Sequence, residues 1–224
     1  MVASWHTGAA RGWLSYGRAF RAPSLGELYY PLSGNAELAP ERSRSAEAGI
    51  SLPAFAGSLQ FDLVGFRNRI DELIDFDFAS FRFGNIARAA QDGLELTAAA
   101  RLGGAGWLAL GATWLDARDG AGLPLLRRPE WSGSATLASP LFGAVGGELS
   151  AVWVGSRDDL DPVTYGRVRQ ESFVTLDASV AVPVAPWLTL RLRADNLANR
   201  AYEEVRGYPN PGRRVFLAAA VNSR

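Results

Sequence analysis

Side chains that could perform covalent or acid–base catalysis are few in this sequence and lack partners. Cysteine is absent and His6 is the only histidine, which removes thiolate chemistry and leaves almost no nitrogen ligands for zinc or iron. We expect His6 to lie in a frayed N-terminus, so that no serine or carboxylate has a histidine base. The glycine clusters at 103–106 and 143–147 lack the lysine and the spacing of a phosphate loop and predict turns. The sequence thus predicts neither an enzyme nor a bound cofactor.

The densest acidic cluster lies at residues 157–161, with the sequence RDDLD. Asp158, Asp159 and Asp161 could reach one calcium ion, which prefers carboxylate oxygens in a flexible loop. A solvated loop explains the same composition without an ion. We therefore predict no metal site and keep these three aspartates as the candidates if one exists.

Composition narrows the fold class. The chain has 224 residues with 23 Lys+Arg and 23 Asp+Glu, so its formal net charge of zero gives no attraction to nucleic acid. Glycine (24) and proline (12) are frequent, which favours many turns and few long helices. The uncharged stretch 102–115 contains four glycines and is too short for a spanning helix. These features favour an all-β protein, either a soluble sandwich or a membrane barrel.

Apolar and polar residues alternate over much of the chain. Between residues 189 and 195 the apolar side chains occupy 190, 192 and 194, and the same period recurs at 94–102, 131–137 and 174–182. A period of two predicts antiparallel strands with one apolar and one polar face. We predict about ten strands, near 9–19, 42–52, 57–74, 83–102, 105–118, 127–139, 145–157, 169–184, 186–197 and 212–222.

The predicted connections alternate in length. Short turns are expected at 53–56, 103–106, 140–144 and 184–186, and longer polar loops at 21–41, 75–82, 119–126, 157–168 and 198–211. Outer-membrane barrels have short turns at one end and long loops at the other, whereas a soluble meander has no reason to sort its loops by length. The alternation favours an up-and-down transmembrane β-barrel.

Aromatic residues lie in or beside the short turns, and they predict a membrane girdle at Phe55, Trp107, Phe142 and Trp187. Rim residues of a soluble core would occupy similar places, so the girdle depends on the loop asymmetry. The polar faces would then line a lumen with Glu95, Arg101, Asp177, Arg191 and Arg193. The arginine pairs 127–128 and 213–214 lie beside long loops, where they could bind lipopolysaccharide phosphates, lumen carboxylates or water.

Several motifs, taken in their order and spacing, resemble the TonB-dependent outer-membrane receptors, and the resemblance covers almost the whole chain. They include YGRAFRAPSLGELY at 16–29, GNAELAPE at 34–41, NRIDELIDFD at 68–77 and DNLANRAYE at 195–203. The segments PLLRR at 124–128 and YEEVRGYPNPGR at 202–213 make the cobalamin (vitamin B12) receptors the most similar branch.

The resemblance implies a plug-filled barrel of about 22 strands, of which this chain corresponds to the C-terminal part. We expect one partial barrel domain over residues 1–224 in the cell outer membrane. We expect this chain to lack a plug domain, a TonB box and a secretion signal, and therefore not to transport a ligand by itself. The implied partners are outer-membrane lipid and a cobalamin- or siderophore-type ligand.

The resemblance also implies that the ligand meets the long-loop side. Aromatic side chains there offer flat apolar area at a low entropic cost, although they could equally anchor at the lipid interface. The candidate contacts are Tyr29, Tyr30, Phe76, Phe78, Phe81, Tyr165, Tyr202 and Tyr208.

Three alternatives remain open from the sequence. The first is a ferric-siderophore receptor instead of a cobalamin receptor. The second is a small self-closed barrel acting as an adhesin, pore or surface enzyme, which would pair its first strand with its last. The third is a soluble β-sandwich binding module, whose apolar strand faces would be buried between two sheets.

Overall fold

The computed structural model describes residues 1–77 and 80–222, without the side chains of Ile86 and Ala87. Its elements in chain order are β1 (Val2–Thr7), β2 (Ala10–Arg21), α1 (Leu25–Tyr29), β3 (Glu41–Ala54), a 3-10 turn (Phe55–Gly57), β4 (Leu59–Asp77), β5 (Arg82–Leu102), β6 (Gly106–Asp119), β7 (Trp131–Phe142), β8 (Val145–Val154), β9 (Arg157–Leu160), β10 (Arg167–Gln170), β11 (Phe173–Ala185), β12 (Leu188–Asp195), β13 (Glu203–Val205), β14 (Tyr208–Pro209) and β15 (Arg214–Val221).

Within the described ranges eleven strands form one antiparallel sheet, and their order in space follows their order in the chain: β1-β2-β3-β4-β5-β6-β7-β8-β11-β12-β15. The remaining four strands form two small hairpins, β9 with β10 and β13 with β14. The all-β, antiparallel prediction is confirmed. Each of the ten predicted strands is present, and β1 is an eleventh.

Two sequence expectations were wrong. His6 lies in β1, where the pairing runs from Val2 opposite Ser15 to Thr7 opposite Ala10, so it is not in a frayed terminus. Most of the described residues in the expected loop at 75–82 belong to strands, because β4 and β5 stay paired out to Asp77 and Arg82. Backbone hydrogen bonds to a neighbouring strand outweigh the polar composition of both segments.

The register of β3 to β7 runs without a shift, so side chains of the same type line up across the sheet. One rung contains Ile50, Leu63, Leu96, Ala112, Gly133, Trp153 and Val174. The next rung contains Ser51, Asp62, Thr97, Gly111, Ser134, Val152 and Thr175. We call the side of the first rung the apolar face and the side of the second the polar face.

The apolar face is open. Leu96 is 47% exposed and Leu192 is 51% exposed, and all eleven long strands belong to a single sheet. No second sheet covers this face among the described residues, which rules out the soluble sandwich. The pairings of the described residues do not join β1 to β15, so the mark of a small self-closed barrel is missing.

The two ends of the sheet differ. Five tight turns in the described part of the chain, at 8–9, 55–58, 103–105, 143–144 and 186–187, join strands at one end, which we call the short-turn end. Gly104 and Gly143 have φ values of 73° and 54° there, a left-handed conformation that glycine adopts without strain. Longer segments at 22–40, 120–130, 155–172 and 196–213 occupy the other end, the long-loop end. The predicted alternation of loop lengths is thus confirmed for four of the five expected long loops, and the exception is the connection between β4 and β5.

Buried side chains concentrate towards the long-loop end. The buried apolar residues are Leu38, Ile74, Ala89, Ala117 and Phe173. In the described part of the chain, no helix combines the length and the apolarity needed to cross a bilayer.

Candidate functional site

Asp159 joins three segments at the long-loop end. Its carboxylate is fully buried, at 0% exposure. The Nε of Arg127, in the loop after β6, donates to Oδ1 at 2.8 Å. The backbone N–H of Arg206, beyond β13, donates to Oδ2 at 2.8 Å, and Gln170 of β10 donates to the same oxygen at 3.3 Å. We call this arrangement the Asp159 interlock.

Arg157 strengthens the same junction. It is 4% exposed, and its Nη2 donates to the carbonyls of Glu203 and Glu204 at 2.8 and 2.9 Å. Its guanidinium lies 5.5 Å from the ring centroid of Phe173, and that ring packs on Tyr202 with centroids 4.4 Å apart. The β9–β10 hairpin is therefore held against the loop between β12 and β15.

The three candidate metal ligands do not converge. Asp158 pairs with Arg167 at 3.0 Å and Arg169 at 3.1 Å. Asp161 accepts the backbone N–H groups of Val163 and Thr164 and so closes a turn. Among the described residues no group of three or more carboxylate, histidine or cysteine side chains is arranged to hold a metal ion. The arginines and the turn explain the acidic cluster.

Hydrogen bonding fixes the protonation of these aspartates. Burial raises the pKa of Asp159, but hydrogen bonds from Arg206, Arg127, Leu160 and Gln170 outweigh it, and the pKa lies below its usual value. For Asp158 burial is likewise outweighed by Arg167 and Arg169, which lower the pKa. The interlock is therefore charged at neutral pH.

A second loop cluster contains α1. Ser24 and Glu27 form a capping box at its N-terminus, in which each side chain binds the other residue's backbone N–H. Arg21 links Glu27 to Glu41 through salt bridges of 3.0 and 2.6 Å. Burial opposes the ionisation of Glu27, but Ser24 and Arg21 outweigh it and lower its pKa.

An aromatic-lined cavity of about 500 Å³ lies beside this helix. Phe76 contacts Phe81 and Phe83 edge to face, with centroids 5.3 Å apart in both pairs. The other residues that line the cavity are Ser24, Gly26, Glu27, Tyr30 and Ser33. Of the ligand-contact candidates, this cavity brings Tyr30, Phe76 and Phe81 together.

The other ligand-contact candidates lie apart from that cavity. Tyr29, Tyr165 and Tyr208 are exposed, on α1, in the β9–β10 hairpin and on β14. Tyr202 is half-buried against Phe173. Phe78 lies outside the described residues.

The four girdle candidates separate into two groups. Phe55, Phe142 and Trp187 are exposed at the short-turn end. Trp107 lies opposite Arg101 and Ala138, and Ala138 in turn lies opposite Glu148. Its register therefore places Trp107 on the polar face, away from the proposed girdle.

The predicted lumen residues share the polar face. Glu95, Arg101 and Asp177 occupy the register positions of that face, and Arg191 and Arg193 continue it on β12. A concave cavity of about 610 Å³ lies there, lined by Glu148, Ser150, Asp177, Ser179, Arg191 and Arg193 among others. Of the two arginine pairs, Arg127 binds Asp159 at 2.8 Å and Arg214 binds Asp195 at 3.2 Å.

Sequence reasoning missed the interlock. Arg127 and Arg206 lie 32 and 47 residues from Asp159, and one sequence carries no signal that pairs residues at such separations. The charge density at 157–161 was the available clue, and a solvated loop already explained it without long-range partners.

A family model described as TonB dependent receptor-like, beta-barrel matches residues 4–197. The chain is 32% identical over 208 residues to the vitamin B12 transporter BtuB of Vibrio cholerae serotype O1, in an alignment that covers 91% of this chain and 33% of that relative. The chain therefore spans about a third of the length of the curated relatives that it matches.

Solved structures show the same fold. The chain superposes on the copper transporter OprC with a TM-score of 0.80 at 18% identity, covering 95% of this chain and 36% of that one. For the ferripyoverdine receptor of the outer membrane of Pseudomonas aeruginosa the TM-score is 0.79 at 18% identity, covering 98% of this chain and 32% of that one. At these identities the likeness concerns the fold alone.

Proposed function

We propose that this chain, which belongs to the TonB-dependent receptor-like β-barrel family, serves uptake of cobalamin or a similar large ligand. The members of this family are outer-membrane receptors and transporters and not enzymes. The strands of this chain would form part of the barrel wall, and its long loops would contact the ligand.

The sequence identity to the vitamin B12 transporter, 32% over 208 residues, is the observation that carries the cobalamin proposal. The exposed aromatic side chains of the long-loop end support it, because a corrin ring offers a broad flat surface to pack against. Tyr29 is the last residue of α1 and Tyr30 directly follows it, and both side chains are exposed.

A chimaera tests the proposal. This chain would replace the matching third of the Vibrio cholerae vitamin B12 transporter, and binding of labelled cyanocobalamin to outer membranes would be measured with and without competing ferripyoverdine. We expect saturable cyanocobalamin binding that ferripyoverdine does not displace. Binding of ferripyoverdine instead would favour the siderophore alternative.

A pair of variants locates the contact. Tyr29→Ala with Tyr30→Ala should raise the Kd for cyanocobalamin by about tenfold or more, since two exposed aromatic contacts are lost. Phe20→Ala is the matched control, because Phe20 is 77% exposed near the same end but lies on the apolar face. Equal loss in both variants would contradict a contact at α1.

A further inference from the structure

The aromatic-lined cavity beside α1, which we call the α1 cavity, has the size of a small-molecule site. Its volume of about 500 Å³ falls within the ~300–1,000 Å³ of ligand pockets. Phe76 meets both Phe81 and Phe83 nearly at right angles, with interplanar angles of 80° and 76°. Tyr30, which is 64% exposed, adds a fourth ring. The α1 cavity therefore offers aromatic rings in more than one orientation to an occupant.

The α1 cavity lies on the polar side of the sheet. Phe76 pairs with Phe83, and an even number of residues separates Phe83 from Glu95 along β5. The register therefore places these two rings on the side that Glu95 occupies. Bilayer lipid would contact the opposite side of the strands. A water-soluble ligand can thus reach the α1 cavity from the long-loop end.

Hydrogen bonds hold the walls of the α1 cavity in place. The backbone N–H of Phe83 donates to the carbonyl of Ser33 at 3.0 Å, and the Nδ2 of Asn35 donates to the carbonyl of Phe83 at 3.0 Å. Arg21 binds Glu27 at 3.0 Å and so fixes α1, whose five residues are too few for a stable isolated helix. The α1 cavity is therefore pre-organised, which lowers the entropic cost of binding.

Phe81 has an unusual backbone conformation at the rim of the α1 cavity. Its φ of 58° lies in the left-handed region, which is strained for a bulky residue. Residues held in such conformations concentrate at binding and active sites. Phe81 is also 59% exposed, so burial of its ring does not explain the strain. These two properties favour a role in binding.

The segments that form the α1 cavity are acidic. Residues 21–41 and 72–83 contain six carboxylates and two arginines, so negative charge is in excess there. Glu27 itself lines the α1 cavity. An excess of one sign of charge beside a concave site raises the local concentration of ions of the opposite sign. The charge therefore complements a cation.

The chemistry of the lining selects an organic cation over a metal ion. Calcium needs six or more oxygen ligands, and in the described ranges no group of three or more carboxylate, histidine or cysteine side chains is arranged to hold a metal. Aromatic faces instead attract ammonium ions that carry alkyl groups, because the ring quadrupole replaces weak hydration.

We propose that the α1 cavity binds a quaternary ammonium group of a water-soluble ligand. The rings supply cation–π contacts, and the acidic segments supply the surrounding negative field. The proposal does not depend on uptake of cobalamin, and the binding of cyanocobalamin is a separate measurement.

Choline and its uncharged carbon isostere, 3,3-dimethyl-1-butanol, test the proposal because they share a shape and differ in charge. Binding to the full chain would be measured by isothermal titration calorimetry after extraction from outer membranes in a maltoside detergent, which carries no ammonium group. We expect choline to bind at least about tenfold more tightly than the isostere. Equal binding of the two compounds, or no binding of choline, would overturn the proposal.

Matched aromatic variants locate the site. Tyr30→Leu combined with Phe81→Leu removes two rings from the α1 cavity and keeps apolar side chains, and it should weaken choline binding about tenfold. Tyr16→Leu combined with Phe20→Leu is the control, because both of these exposed rings lie on the apolar face. It should leave choline binding within about twofold. Equal losses in the two double variants would refute a site in the α1 cavity.

A variant that keeps the rings guards against misfolding of the leucine one. Tyr30→Phe combined with Phe81→Tyr retains an aromatic face at each position. We expect choline binding within about twofold of that of the original chain. A ring-keeping variant that bound choline no better than the leucine variant would count against recognition by the rings.

Discussion

At the residue scale, the buried carboxylate of Asp159 connects segments that are far apart in the chain. It accepts hydrogen bonds from the loop after β6, from β10 and from the turn beyond β13. A buried charge is stable only while such partners remain. The conformations of these loops are therefore coupled through one residue.

Asp159→Asn should release the interlock. It leaves Arg127 without its carboxylate, and we expect a loss of about 2 kcal/mol of local stability, less than for a fully buried pair because Arg127 is half exposed and can be rehydrated. Trypsin should then cleave after Arg206 and Arg167 several times faster. Glu171→Gln, an exposed change in the same region, serves as the control, and an unchanged cleavage rate in D159N would argue against the coupling.

Acid should open the same loops. The pKa of Asp159 lies below its usual value of 3.8 in the folded state, so the unfolded loops bind the proton more tightly. The stabilisation is therefore complete above the unfolded pKa and is lost as the pH falls through the folded one. Hydrogen exchange of the backbone N–H groups of Leu160 and Arg206 should stay slow from neutral pH to about pH 5 and become faster, after correction for intrinsic rates, below the usual range of aspartate. Release near pH 6 would contradict this assignment.

At the scale of the elements, each long strand has an apolar face and a polar face. Alternation in the sequence predicted the strands and their two faces, because every second residue must meet the same surroundings. Leu94 and Leu96 illustrate this, since they recur on one side while Glu95 and Thr97 recur on the other. Alternation could not predict β1, whose six residues VASWHT mix both types, nor the loop contacts, which depend on side chains distant in sequence.

Neighbouring substitutions on β5 should have opposite outcomes. Leu96→Arg places a charge on the apolar face, and in lipid it should cost about 2 to 4 kcal/mol. Thr97→Arg, one residue away on the polar face, should cost less than about 1 kcal/mol because the guanidinium remains in water. Unfolding of the membrane-inserted chain in urea measures both. Similar losses would show that the two faces do not differ in their surroundings.

At the scale of the whole molecule, the main sheet of the described residues has two edges. Within the described residues β1 pairs only with β2, and β15 only with β12. An unpaired edge leaves backbone N–H and C=O groups without partners, which is costly in a bilayer. The architecture therefore calls for further strands beside β1 and β15, from whatever source.

A preparation that contains only these 224 residues should accordingly self-associate. We expect light scattering after size-exclusion chromatography in detergent to show dimers or larger species, held by edge-to-edge pairing. Ala218→Lys combined with Ala220→Lys, on the edge strand β15, should shift the population towards smaller species. A monodisperse monomer of the unsubstituted chain would contradict the expectation.

The unshifted register from β3 to β7 also limits how such a protein can change in length. Unless a β-bulge absorbs it, a deletion of one residue inside β4 would move Leu59 and Leu63 to the polar face and Asp62 to the apolar face, whereas a gain or loss of two residues keeps each side chain on its own face. Segments such as 120–130 carry no such parity rule. Insertions and deletions should therefore accumulate in the loops during evolution, and peptide tags are best inserted there.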